Sequence, residues 1–202
     1  MSRIIGITGN IACGKTAVGK MLLELGAEKY IDADALVHQL YLSGQPIARE
    51  VARVFGADVM AADESVDRKA LGALVFGDAE ALRRLESIVH PAVGRAMVEE
   101  LATVSPGGIA VIDAVKLLEG GSAAFCQSKW LIVCPEEQEL ARLITRNGLS
   151  EEEARARVQA QPSVERRLPL VDEVIDNSGS LAETRGQVEA AFQRFCEHFP
   201  AP

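Results

Sequence analysis

Residues 9–16 constrain the fold of this chain more than any other stretch, because they match the pattern G-x-x-x-x-G-K-[ST] at every fixed position. An apolar run at residues 4–7 precedes the match, and apolar residues at helical spacing follow it from Val18 to Leu25. Gly26 is then suited to ending a helix. The sequence therefore predicts a buried strand, a glycine-rich loop and a helix in immediate succession.

The loop has the chemistry of a phosphate-binding site. Its glycines allow backbone bends that aim successive N–H groups inward, and the helix N-terminus adds partial positive charge. Lys15 supplies a full charge for the β- and γ-phosphates of a nucleotide, and the Thr16 hydroxyl is placed to bind Mg²⁺. A glycine-rich turn arising by chance would not need this Lys and Thr in register. We predict that Mg-ATP binds to this loop, with the following nucleotide-binding residues: Asn10, Ile11, Ala12, Cys13, Gly14, Lys15, Thr16 and Ala17.

Length, charge and cysteine content narrow the class of protein. The 202 residues are 48% hydrophobic, which is enough for one sizeable α/β core with insertions. Lys plus Arg number 21 against 29 Asp plus Glu, and the net charge of −8 argues against binding to nucleic acid or anionic membranes. Four cysteines without a C-x-x-C pair, and an opening apolar run too short for a signal peptide, favour a cytoplasmic protein. We expect no obligate protein partner.

The remaining apolar runs predict a parallel sheet. Each run precedes a turn or a helix-like stretch, and they lie at residues 30–31, 109–112, 130–133 and 174–175. We therefore predict an α/β fold in three layers with a mainly parallel five-stranded sheet. Between the second and third strands the sequence is nearly all helical, as expected for an inserted substrate-side lobe. Later helices are predicted over residues 135–146, from a capping box at Ser150 toward Gln161, and over residues 181–199.

Two aspartates follow the second predicted strand. Asp32 and Asp34 would stand across the top of the sheet from the loop, where an acceptor hydroxyl could meet the γ-phosphate. The alternatives are that Asp34 caps the helix that follows, or that both carboxylates are simply solvated. The D-x-x-G and N-K-x-D motifs of GTPases are missing from the suitable positions, which disfavours GTP hydrolysis.

Several segments together give the chain a specific resemblance. Residues 5–9, 25–27, 31–34, 85–91 and 174–179 resemble those of dephospho-CoA kinase, and the similarity runs over nearly the whole chain. The resemblance implies a single P-loop kinase domain of the nucleoside-monophosphate-kinase type. Its core would comprise about 1–34, 105–140 and 172–202, its helical acceptor lobe about 35–104, and its lid about 141–171. The implied reaction is ATP-dependent phosphorylation of the ribose 3′-hydroxyl of dephospho-CoA.

The resemblance also implies roles for individual residues. Asp34 would orient the acceptor hydroxyl and accept its proton, and Asp32 would support the site or Mg²⁺ through water, although either could hold the main role. His90, in a His-Pro pair, would lie at the mouth of the acceptor pocket, unless it is a structural helix residue. Asn177 would contact adenine, unless its segment forms only an Asx turn.

Arginines of the predicted lid are candidates for holding phosphates. Arg142 and Arg146 lie four residues apart on one helix face and are predicted to clamp ATP, with Arg142 taking part in catalysis. Arg155 and Arg157 follow on the next helix. The alternative for each of them is a charged surface paired with neighbouring glutamates.

One departure from the family pattern bears on the acceptor. After the third strand the family commonly has D-x-P-L-L-x-E, whereas this chain has Val115 and Lys116 in place of Pro and Leu. Lys116 could contact the acceptor's own phosphates. Two other functions therefore remain open from the sequence, namely a kinase for another small acceptor such as a nucleoside monophosphate or a sugar, and a non-catalytic ATP-binding switch.

Overall fold

The structure is a computed structural model that describes residues 2–119 and 121–202. The chain forms two compact units. The first, which we call the sheet unit, contains the residues up to Asp32 together with Leu101–Pro202. The second, the helical unit, is Ala33–Glu100, inserted between the second and third strands. The predicted functions of lobe and lid stay predictions.

Five parallel strands form one sheet in the order β2-β3-β1-β4-β5. Their bounds are β1 Arg3–Gly9, β2 Lys29–Asp32, β3 Ile109–Asp113, β4 Ser128–Val133 and β5 Glu173–Asp176. The predicted α/β fold with five strands is confirmed, and the sheet is parallel throughout. Because β1 is central, with β3 on one side and β4 on the other, loops after three neighbouring strands meet at one edge.

The helices lie between successive strands and after the last strand. In chain order they are α1 Lys15–Glu24, α2 Ala33–Leu40, α3 Pro46–Phe55, α4 Arg68–Val75, α5 Ala79–Leu101, α6 Glu136–Asn147, α7 Glu151–Gln159, α8 Val164–Arg167 and α9 Leu181–His198. Short 3₁₀ helices span Ala57–Val59, Gly121–Phe125 and Leu168–Leu170. Within the described part of the chain, none of these helices has the length and apolar character needed to cross a bilayer.

The core of the sheet unit explains why β1 reads as an uninterrupted apolar run. Residues 4–9 are all buried, as expected for a central parallel strand covered on both faces. Ile5 and Ile7 pack on one face with α1 and α9. On the other face Gly6 lies so close to Leu117 and Cys126 that a Cβ atom would overlap their side chains. The glycine in this strand is therefore required by packing.

Local signals set the ends of the helices. After α1, Gly26 has φ 113°, and the amides of Gly26 and Ala27 donate to Leu23 and Leu22 at 3.2 and 2.9 Å. The predicted helix stop is confirmed. The predicted capping box of α7 is also present, since Ser150 and Glu153 bond each other's backbone amides. Helix α6 begins one residue later than predicted, because Pro135 is its N-cap.

The helical unit has a core of its own. Helices α2 to α5 bury a cluster of aliphatic side chains that includes Val51, Val59, Leu71 and Val89. Helix α4 begins at an N-cap in which Asp67 accepts from two amides of the first turn. The nearly all-helical character predicted for this block is confirmed, with one isolated bridge between Met60 and Val66.

Candidate active site

The phosphate-binding loop, residues 9–16, leaves β1 and enters α1 with a sharply bent backbone. Gly9, Ala12 and Gly14 have φ values of 153°, 61° and 105°. Gly14 is the N-cap of α1, and no side chain of the described residues caps this helix end. Its left-handed φ and the proximity of Asn177, which a Cβ atom would overlap, both require glycine. The Ala17 amide donates to the Gly14 carbonyl at 2.9 Å, and the start of the helix before it is open to an anionic ligand.

The ammonium group of Lys15 lies across this loop. Its Nζ donates to the carbonyl oxygens of Gly9 and Asn10, each at 3.1 Å. Both acceptors are neutral, so the full positive charge remains for phosphate oxygens. Burial raises the pKa of the neighbouring Cys13 thiol in spite of the charge of Lys15, and a protonated thiol at this position fills space inside the loop.

Two predicted nucleotide contacts brace the carbonyl side of the loop. The buried Asn177 donates from Nδ2 to the Cys13 carbonyl at 2.8 Å and accepts from Thr184 at 2.9 Å. Arg142 donates to the carbonyls of Ala12, Cys13 and Asn177 at 3.2, 3.3 and 3.2 Å. These bonds fix the positions of the loop carbonyls. The catalytic role of Arg142 and the adenine contact of Asn177 stay predictions.

The other predicted residues lie in different places. Arg146 is exposed on α6 and donates to Asn147 at 3.0 Å, so its guanidinium is not brought together with that of Arg142. Lys116 is exposed, three residues beyond β3. In the helical unit, Asp34 is the second residue of α2 and is exposed, and His90 is exposed on α5.

Carboxylates gather at the ends of β2 and β3. Asp32 and Asp113 pair in register as the last residues of these strands. The Tyr30 hydroxyl donates to Asp113 Oδ2 at 2.5 Å. Burial and the charge of Asp113 raise the pKa of Tyr30, the hydroxyl of Thr16 lowers it, and Asp32 also raises it. Thr16 and Asp113 therefore interact with one phenol, and Asp32 lies beside Asp113.

This oxygen-rich set fits a magnesium ion. Mg²⁺ prefers oxygen ligands and binds through one or two carboxylates, with water and phosphate oxygens completing its shell. The hydroxyl of Thr16 and the carboxylates of Asp32 and Asp113 are donors of that kind. Sequence reasoning missed Asp113 as a site residue. The available signal was an acidic residue ending a strand next to the strand of the phosphate-binding loop.

The chain matches the model of the CoaE dephospho-CoA kinase family over residues 3–183. It belongs to the dephospho-CoA kinase family. A dephospho-CoA kinase of Symbiobacterium thermophilum is 45% identical over 96% of this chain and 82% of its own length. The solved structure of TT1252 from Thermus thermophilus has a TM-score of 0.84 at 34% identity, covering 96% of this chain and 97% of that one. A dephospho-CoA kinase from Campylobacter jejuni has a TM-score of 0.59 at 27% identity, with the same coverage.

In this member of the dephospho-CoA kinase family, a buried glutamate lies beside the loop. Glu139, in α6, is 2% exposed, and Asn10 donates to its Oε2 at 3.5 Å. Burial raises its pKa from 4.5 to about 7, against the lowering effect of the Asn10 hydrogen bond. Glu136 raises the pKa further, whereas Lys15 and Arg167 lower it. Sequence reasoning also missed Glu139, for which the only signal was its place one turn before the buried Leu143.

Glu139→Gln is expected to increase the free energy of unfolding at pH 8 by roughly 1–3 kcal/mol. Between pH 4.5 and about 7 the folded wild type binds more protons at Glu139 than the unfolded chain does. Its stability therefore falls as the pH rises through this range, and the penalty is complete above pH 7. Glutamine keeps the shape and lacks the charge, so the variant loses this part of the pH dependence.

Chemical denaturation from pH 5 to pH 8 measures the effect. Glu137→Gln is the matched control, because Glu137 is exposed on the same helix and its replacement should leave the pH profile unchanged. If the free energy of unfolding falls with pH as steeply in Glu139→Gln as in the wild type, the assignment of the raised pKa is contradicted.

Proposed function

We propose that the protein transfers the γ-phosphoryl group of Mg-ATP to the ribose 3′-hydroxyl of dephospho-CoA, giving coenzyme A and ADP. The observation that carries this proposal is the braced phosphate-binding loop with Lys15 across it, in a chain of the dephospho-CoA kinase family. The name of the relative from Symbiobacterium thermophilum supports the choice of acceptor.

The loop binds and orients the nucleotide. Its N–H groups and the N-terminus of α1 hold the phosphates, and Lys15 neutralises charge on the β- and γ-phosphates. Thr16, Asp32 and Asp113 would hold Mg²⁺, which supplies charge neutralisation when bound. Asn177 and Arg142 keep the loop in this shape by fixing its carbonyl side. The protein thereby arranges its charges before the reaction begins.

Transfer needs a proton acceptor as well. The acceptor oxygen forms a bond to the γ-phosphorus while the bond from this phosphorus to the bridging oxygen breaks, and that electron pair stays on ADP. We assign the hydroxyl proton to the carboxylate of Asp34, two residues along the chain from the end of β2. We further propose that residues 35–104 bind the acceptor, with His90 and Lys116 as contacts, that residues 141–171 act as a lid, and that the enzyme is cytoplasmic.

An ADP-release assay with Mg-ATP tests the function. Purified protein should release ADP in a saturable way only when dephospho-CoA is present, and mass spectrometry should find one added phosphoryl group on the acceptor. A panel with nucleoside monophosphates and sugars covers the second candidate function, which the exposed Lys116 after β3 favours. Turnover with one of these acceptors and not with dephospho-CoA at millimolar concentration would overturn the proposed acceptor.

A further inference from the structure

The guanidinium of Arg167 is buried without hydrogen bonds. Arg167 ends α8 in the predicted lid and is 2% exposed. Its Nε, Nη1 and Nη2 atoms have no hydrogen-bond partner among the described residues. The Glu119 carboxylate approaches Nε only to 4.0 Å. Burying a charged group without hydrogen bonds is costly, so a guanidinium in this state is an unusual feature for a fold to retain.

Two carboxylates and a cleft locate this guanidinium. The Glu119 carboxylate, in the segment after β3, lies 4.0 Å from Nε. The charge of Arg167 also lowers the pKa of Glu139, which accepts a hydrogen bond from Asn10 of the phosphate-binding loop. Val164 and Glu165 of α8 line one cleft together with Asn10 and Glu139. Helix α8, which carries Arg167, therefore borders the phosphate-binding loop.

The surroundings of Glu139 support this location. Glu139 accepts a hydrogen bond from Asn10 of the loop, and the charges of Lys15 and Arg167 both lower its pKa. A cleft of about 350 Å³ separates Asn10 and Glu139 from the chain entering α8, including Gln161. Two further buried oxygens, Asn10 Oδ1 and Gln161 Oε1, also have no partner among the described residues. Polar groups without partners thus concentrate on one side of the phosphate-binding loop.

We propose that Arg167 is a catalytic residue whose guanidinium contacts the phosphoryl group being transferred. Its planar fork of N–H donors matches phosphate oxygens, and its charge stabilises those oxygens during transfer. A phosphoryl oxygen would take the place at Nε that a Glu119 oxygen now approaches. The two arginines favoured by the sequence are otherwise engaged, Arg142 with loop carbonyls and Arg146 with Asn147. This inference rests on the proposed phosphoryl transfer, though not on the identity of the acceptor.

Replacing Arg167 with Met and with Lys tests the proposal. Arg167→Met should lower kcat at least about tenfold, as expected for the loss of one charged hydrogen bond, and Arg167→Lys should recover part of it. Titration calorimetry should show that Arg167→Met weakens ATP binding relative to ADP binding by about tenfold, because only ATP carries the γ-phosphate. Arg166→Met is the control, because Arg166 is the exposed neighbour and should match the wild type in both measurements.

Melting of the nucleotide-free protein separates this role from a structural one. We expect Arg167→Met to melt at the wild-type temperature or above, because it removes a buried charge that lacks hydrogen bonds. A melting temperature several degrees lower, restored by Lys, together with an unchanged preference for ATP over ADP, would overturn the proposal. A wild type that binds ATP and leaves dephospho-CoA unmodified would instead refute the proposed acceptor, and the comparison of ATP with ADP would still decide the role of Arg167.

Discussion

Lys15→Met is expected to lower kcat by about 10³-fold. The substitution keeps most of the length of the side chain and removes the only full charge in residues 9–16. Lys15 is already held across the loop by the carbonyls of Gly9 and Asn10, so its charge is in place before the nucleotide arrives. A preorganised charge in a site that excludes water stabilises developing negative charge more strongly than a mobile one.

The measurement is kcat at saturating Mg-ATP and dephospho-CoA. Lys20→Met serves as the control, since Lys20 is exposed on the same helix and should be replaceable without effect. Both variants should melt close to the wild-type temperature. A Lys15→Met enzyme that keeps a kcat within tenfold of the wild type would refute the role given to this lysine.

Structural features that depend on a few adjacent residues could be predicted from the sequence. The phosphate-binding loop, the stop at Gly26 and the capping box at Ser150 depend on contacts within one turn of backbone. The parallel sheet followed from apolar runs bounded by turns. Each of these was confirmed, because the physics that produces it is local.

Contacts that depend on which strands are neighbours in the sheet could not be predicted in the same way. Asp113 lies beside Asp32 because β3 pairs with β2, and Glu139 lies beside Asn10 in the part of the chain that follows β4, a neighbour of β1. A sequence also does not indicate which backbone carbonyl a side chain will contact. The residue type of Arg142 suggests an anion as its partner, yet the structure gives it the carbonyls of Ala12 and Cys13.

The loop carbonyls therefore have two tasks. Those of Ala12 and Cys13 accept hydrogen bonds from Arg142 and Asn177, which come from α6 and from the end of β5. Those of Gly9 and Asn10 hold the ammonium group of Lys15. By our inference, the guanidinium of Arg167 contacts the phosphoryl group that Lys15 neutralises. A backbone fixed in this way presents charge without rearranging, which lowers the barrier of a reaction dominated by electrostatics.

Asp34→Asn is expected to lower kcat by about 10²-fold or more while ATP affinity stays within about twofold of the wild type. The carboxamide has nearly the same size and shape, but it cannot accept the proton of the acceptor hydroxyl. Because our proposal assigns the phosphates to residues 9–16, we expect nucleotide binding not to depend on this carboxylate. A non-catalytic ATP switch predicts the opposite result, with every measurable function intact in Asp34→Asn.

Asp32→Asn distinguishes the proton acceptor from support of the metal. Asp32 ends β2 beside Asp113, so we expect its amide variant to need more Mg²⁺ for half-maximal activity. Asp34→Asn should keep the Mg²⁺ requirement of the wild type while its kcat falls, since only the proton acceptor is lost. If Asp34→Asn instead needs more Mg²⁺ while Asp32→Asn keeps the wild-type requirement and loses kcat, the two aspartates have exchanged roles, and the carboxylate that ends the strand is the base.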